Sequence, residues 1–106
     1  MVNTNSIEII VKVLENPTQI VFNKTIPATK FRVQFPQFNN TQIINLTFWG
    51  NLATDVAKYY QISDYILIEG SLSLKNKDHL NRVNRNIKTI EITVLKIYPF
   101  LLSQTS

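Results

Sequence analysis

Seven acidic residues, one histidine and two glycines limit the chemistry open to this sequence of 106 residues. Asp55, Asp64 and Glu69 lie near one another in the chain, where paired-carboxylate hydrolysis would be sought. That chemistry needs two converging carboxyl groups with separated pKa values. Asp55 reads instead as a charge near a helix terminus, Asp64 as a turn residue, and Glu69 as a strand residue beside Gly70. His79 has no cysteine near it, and a single histidine cannot build a structural zinc site from the ligands present. Two isolated glycines, Gly50 and Gly70, cannot form a phosphate-cradling loop or a dinucleotide fingerprint. No catalytic residue, metal site or cofactor is expected, and the chain reads as a binding protein, not an enzyme.

Charge placement is more informative. The segment KNKDHLNRVNRNIK, residues 75–88, carries Lys75, Lys77, Arg82, Arg85 and Lys88 against Asp78 alone. It accounts for the whole net charge of +4, because the six other bases and six other acids cancel. Such a polar loop either serves solubility or tracks an anionic partner. With 44% hydrophobic and 17% charged residues, the chain reads as one globular domain. No apolar run approaches the roughly 18 residues of a membrane span, so no membrane role is expected. Absence of cysteine excludes disulfides and thiolate chemistry. The start, MVNTNSIEII, lacks a basic n-region, so no targeting segment is expected.

These residues need elements to hold them. SIEIIVKVL (6–14) reads as a first strand, ended by Asn16-Pro17. QIVF (19–22) reads as a short strand continuing that ribbon, and NKTIPA breaks it through Pro27. KFRVQF places Phe31, Val33 and Phe35 on one face and Lys30, Arg32 and Gln34 on the other. QIINLTFW alternates Ile44, Leu46 and Phe48 against Ile43, Asn45, Thr47 and Trp49. From Asn51 the period changes: Leu52, Ala53, Val56, Ala57 and Tyr60 predict a short helix, with Asn51 able to cap it, Asp55 early and Lys58 late. YILIEGSLSL is a fourth strand and TIEITVLKI a fifth.

Three strands, a helix and two strands match the chain order of an all-β OB-fold, a five-stranded Greek-key barrel with one short helix between strands three and four. Residues 1–102 form this single domain and 103–106 a short tail. Gly50 supplies the dihedral freedom for an abrupt strand-to-helix turn. Gly70 suits a bulge where a small barrel must curl to close. A flat α+β sheet, with Gly70 ending a strand, is the competing order.

WGNLATDVAKYY followed by SDYILIEGSL resembles the bacterial single-stranded-DNA-binding protein family: aromatic-Gly, Leu-Ala, an amphipathic helix ending in Tyr, a polar turn, an aliphatic run and Glu-Gly-x-Leu. Residues 49–72 carry this pattern without gaps. QFPQF, WGNLA and ITVLKIYPF together are similar to a narrower branch, the short proteins of cyanobacteria and algal plastid genomes. The resemblance implies an OB barrel that binds single-stranded DNA without reading sequence, during replication, repair or recombination, and that assembles as a homodimer or homotetramer. It also implies a plastid-encoded product or one of cyanobacterial-type cytoplasm; abundant Ile, Asn and Lys fit an AT-rich organelle genome.

Binding of that kind needs cations along phosphates and flat rings for bases. The expected cations are Lys75, Lys77, Arg82, Arg85 and Lys88 in the loop before the last strand, with Lys30 and Arg32 on the second strand. Each phosphate contact steepens the salt dependence by about 0.7 log units per decade. Trp49 is the first stacking platform. Where the family commonly bears two more aromatics, this chain has Ile43 and Asn76, and Phe35 and Phe38 stand as substitutes, although Phe31 and Phe35 also suit the core. Binding weaker than in the full-length family is expected. The family's acidic, apolar-tipped tail is missing after IYPFLLSQTS, so recruitment of other enzymes through it is not expected. Tyr98, Phe100, Leu101 and Leu102 should pack on the barrel or on a second subunit. Apolar residues on both faces of strands one and four, Ile9 with Ile10 and Leu67 with Ile66 and Ile68, exceed one core's need and point to an interface. The alternative is an oligomeric OB scaffold or protein-interaction module with weak or lost DNA affinity, or an RNA binder.

Overall fold

A computed structural model describes residues 5–22, 26–35, 43–76 and 88–103. The elements run β1 (Ser6–Val13), β2 (Thr18–Phe22), β3 (Ile26–Gln34), β4 (Ile43–Trp49), α1 (Asn51–Tyr59), β5 (Tyr65–Asn76) and β6 (Lys88–Leu101). Strands are hydrogen-bonded in the order β1-β5-β6-β4-β3-β2, and β1 also pairs with β3 through Lys12↔Gln34 and Val13↔Val33. That last pairing closes a ring of five strands, the OB barrel, and leaves β2 outside on the flank of β3. All pairings are antiparallel except β4 with β6, whose register sets Ile44 beside Ile90 and Leu46 beside Ile92.

Alternation drives one side of every strand inward. Val11, Val33, Ile44, Leu46, Phe48, Ile68 and Ile92 are fully buried. Phe31 and Phe48 stack with ring centroids 5.4 Å apart and planes 6° from parallel. Burial of side chains this size contributes about 1.5 to 3 kcal/mol each. Helix α1 closes one side of the barrel with Ala53 and Val56.

Several expectations about element ends need correction. QIVF does form a short strand, β2, but it pairs with β3 instead of extending the ribbon of β1. Pro27 does not break the chain: it lies inside β3, opposite Val21, just beyond the point where β4 ends at Ala28↔Trp49. Its carbonyl accepts the Gly50 N–H at 2.9 Å, so its lack of a donor costs no interstrand bond to β4. The fifth main strand runs on to Leu101, through Pro99. Lys75, Asn76 and Lys88 are strand residues, with Asn76 opposite Lys88. The basic segment is therefore partly sheet, while 77–87 lie outside the described residues, His79 and Asp78 among them.

Gly50, not Asn51, is the N-cap; no side chain caps the helix, and Asp55 lies past its first turn. Gly50 has φ +67° and ψ −139°, a region closed to other residues without strain. Gly70 sits at a register shift in the β5–β6 ladder, and a β-carbon there would strike the Thr93 carbonyl oxygen. Both glycines serve the roles their positions predict. A second shift, between Tyr65 and Ile66, and the first one leave Phe100 and Leu95 unpaired in β6, each at least 60% exposed.

Candidate nucleic-acid interface

Residues opposite each other in a ladder share a face, so the registers define rows across the barrel's outside. One row reads Ile20, Ala28, Trp49 across β2, β3 and β4. The next reads Thr18, Lys30, Thr47, Thr93, Ser71 across β2, β3, β4, β6 and β5. A third reads Arg32, Asn45, Glu91, Ser73. The result is a lane of short hydroxyl and amide side chains with the Glu91 carboxylate among them, bounded by an indole at one end, with cations entering from β3.

Trp49 is fixed at its place by the backbone around it. It pairs with Ala28, and the next residue, Gly50, turns sharply and donates its N–H to Pro27. The helix that follows is fastened to the same strand, because the buried Thr29 hydroxyl donates to the Ala53 carbonyl at 2.7 Å. The indole itself remains 42% exposed. It stands on the outer face, as alternation predicts. Ile43, at the other end of β4 on the same face, is 40% exposed. Thr47 between them is buried, flanked by Lys30 on β3 and Thr93 on β6.

The cations fall into four groups. Lys30 is exposed on the outer face. Arg32 is exposed too, but its Nε and Nη2 donate to Glu15 Oε2 at 3.3 and 3.2 Å. Glu15 Oε1 meanwhile accepts the Arg32 backbone N–H at 2.9 Å. The hydrogen bond from the guanidinium holds the Glu15 carboxyl below the usual carboxylate range. Lys75 and Lys88 are placed by their backbones at the end of the β5–β6 ladder, at Lys75↔Thr89 and Asn76↔Lys88. Lys77, Arg82 and Arg85 lie outside the described residues, and so does Phe38. Phe35, named above as a substitute platform, packs against the buried cluster, on the inner side with Phe31 and Val33, and so is not brought together with Trp49.

Two participants escaped the sequence reading. Glu15 lies in the turn between β1 and β2, and only the fold carries it to Arg32. Glu91 enters the outer lane because its neighbours Ile90 and Ile92 face inward, a signal the alternation of the last strand already contained. No cluster of three metal-ligating side chains occurs among the described residues, and no helix there is long and apolar enough to cross a membrane.

The closed ring of five strands with one helix before β5 defines an OB-fold protein. Solved structures share it: the SSB domain of a Synechococcus sp. protein (TM-score 0.73, 21% identity, 92% of this chain and 98% of that one) and a small single-stranded DNA-binding protein from Streptomyces coelicolor (TM-score 0.76, 15% identity, 95% and 97%). Identities this low establish the fold alone. No protein-family model matches the chain. Among curated proteins, the Trieres chinensis protein named "Putative single-stranded DNA-binding protein ycf41" is 38% identical over 102 residues, covering 92% of this chain and 90% of that one. A protein of the same name from Pyropia yezoensis is 26% identical over 90 residues, 85% and 74% of the two chains. The chain belongs to the ycf41 family.

Proposed function

We propose that this protein binds single-stranded DNA without reading its sequence, with bases stacked on Trp49 and phosphates held by Lys30 and by the cations of 75–88. The observation that carries the reading is the exposed indole at the end of a polar lane whose β3 side bears Lys30 and Arg32. The family name and the shared fold point the same way. Its role is binding and not catalysis, and the relatives suggest a gene in a plastid genome. Phe38, Lys77, Arg82 and Arg85 remain proposed contacts.

Titration with oligo(dT) while following the emission of the single tryptophan tests this. Quenching at low salt that reverses as salt rises is the expected result; unchanged emission at saturating oligo(dT) would overturn stacking on Trp49.

Self-association is the second part of the proposal. On the outside of β1, β5 and β6, Ile10, Leu67 and Tyr98 form one row, and Lys12, Tyr65 and Leu101 the next. Lys12 Nζ lies 6.0 Å from the Tyr65 ring centroid. Tyr98, Phe100, Leu101 and Leu102 are 45 to 61% exposed, so about half of their surface is left uncovered by their own barrel. An apolar face of this size suits a second copy, in a dimer or tetramer. Sedimentation of the protein with Leu67→Lys against wild type reads it: loss of the larger species supports the interface, and an unchanged mass overturns it.

A competing reading, an OB scaffold with weak DNA affinity, is favoured by one observation: Arg32 is already engaged by Glu15. Under it, charge reversal at Arg82 and Arg85 leaves DNA retention unchanged; under the first, it abolishes retention.

A further inference from the structure

We propose that Glu15 sets the affinity of the interface: its carboxylate occupies Arg32 in the free protein, and a nucleic-acid phosphate reaches Arg32 only by displacing it. This rests on the outer face being the nucleic-acid surface.

The geometry separates two tasks within one side chain. Between Val13, which pairs with Val33, and Thr18, which pairs with Lys30, the edge of β3 has no strand residue opposite it. The turn fills the gap: Leu14 N–H donates to the Arg32 carbonyl at 3.0 Å, and Glu15 Oε1 stands in for a strand carbonyl by accepting the Arg32 N–H. Glu15 Oε2 does something unrelated to the ladder. It takes the Nε and Nη2 edge of the guanidinium, the same fork that grips a phosphodiester.

Carboxylate and phosphate therefore compete for one set of donors. Both side chains are about half exposed, 55% and 40%, so the pair is weak enough to exchange. While it is closed, the Glu15–Arg32 pair is net neutral and adds little to counter-ion release when DNA arrives. Arg32 is a latent contact, sited in the row of Asn45 and one row from Lys30 and Thr47.

Glutamine at this position keeps an oxygen for the Arg32 N–H and discards the charge, so the two tasks can be tested apart. Binding of fluorescently labelled oligo(dT) is followed by anisotropy across a salt series, for wild type, Glu15→Gln, Arg32→Gln and the double variant. Glu15→Gln is expected to bind about tenfold tighter at low salt, with a log–log salt slope steeper by about 0.7. Arg32→Gln alone should match wild type, and the double variant should lose the gain. Affinity unchanged or lowered in a folded Glu15→Gln protein overturns the proposal, and so does an Arg32→Gln penalty equal in both backgrounds. Should Glu15→Gln unfold, the single Arg32→Gln comparison decides: no loss supports the proposal, and a tenfold loss overturns it. Failure of all four proteins to bind at low salt overturns the underlying reading of the face as well.

Discussion

The carboxylate of Asp64 holds Ser103 twice, accepting its backbone N–H at 2.8 Å and its hydroxyl at 3.0 Å through the same oxygen. Its other oxygen accepts the Gln61 N–H at 2.8 Å. Asp64 is 2% exposed, so a turn residue by sequence is a buried clasp in the fold. Around it the turn also engages β1, through Val13 N–H to the Asp64 carbonyl and Ser63 N–H to the Val13 carbonyl. Asn16 joins from the β1–β2 turn by accepting the Ile62 N–H. The clasp therefore ties Ser103 to the turn that follows the helix.

Asp64→Ala should cost about 2 to 4 kcal/mol, because it removes a buried carboxylate and strands the partly buried N–H donors of Gln61 and Ser103. Ser103→Ala removes only the hydroxyl bonds and should cost about 1 kcal/mol. The two losses should be less than additive in urea denaturation, since they share a bond.

The two glycines should fail for different reasons. At Gly50 an added β-carbon has open space around it, so Gly50→Ala carries only the backbone penalty, about 1 to 3 kcal/mol. Gly70→Ala forces the β5 and β6 backbones apart at Thr93, and should cost more, about 3 to 5 kcal/mol, or prevent folding. Thermal denaturation ranks them.

Trp49→Ala should weaken oligo(dT) binding by about 1 to 3 kcal/mol, with Trp49→Phe retaining most of the affinity. Ile43→Trp should tighten it, because Ile43 is exposed on the same face of β4. Equilibrium titration at fixed salt reads all three, and a loss confined to Trp49→Ala with no gain at Ile43 would restrict stacking to one end of the lane.

Two groups predict opposite responses to pH. Burial, and secondarily the Asp64 carboxylate, push the Tyr60 phenol up. Stability from its neutral form is fully present below the unfolded tyrosine value, about 10, and is lost as pH rises through the folded one. Tyr60→Phe should remove that alkaline loss and delete a late component of the phenolate absorbance titration. The Glu15 carboxyl is held down by Arg32, so its contribution is present above the unfolded value and lost as pH falls through the folded one. In Arg32→Gln, its NMR titration should move back toward the ordinary carboxylate range.

Strand faces were legible where alternation was strict: Phe31 and Val33 in β3, and Ile44, Leu46 and Phe48 in β4, all lie where the period puts them. So were the helix, through Ala53 and Val56, and the outward indole. What the sequence hid is long-range. Pro27 breaks strands as a local rule, yet its missing donor falls where β4 has already ended. The reach of β5 and β6 into the basic segment depends on each strand finding the other, which propensity does not encode. Phe35 continues the inward period of β3, and it packs on the core as that period implies rather than serving as a platform. Glu15 and Ser103 gave no local sign of their partners, which lie 17 and 39 residues away in the chain.

The parallel seam between β4 and β6 has a kinetic corollary. Locally connected hairpins such as β2–β3 and β3–β4 can zip early, but ring closure waits for β6, the last of these strands to leave a ribosome. Until then β4 presents a bare edge and Ile44 and Leu46 lie uncovered by Ile90 and Ile92. A topology so dependent on distant segments folds slowly for its length. The nascent chain, rather than the finished barrel, is where this protein is most vulnerable to self-adhesion.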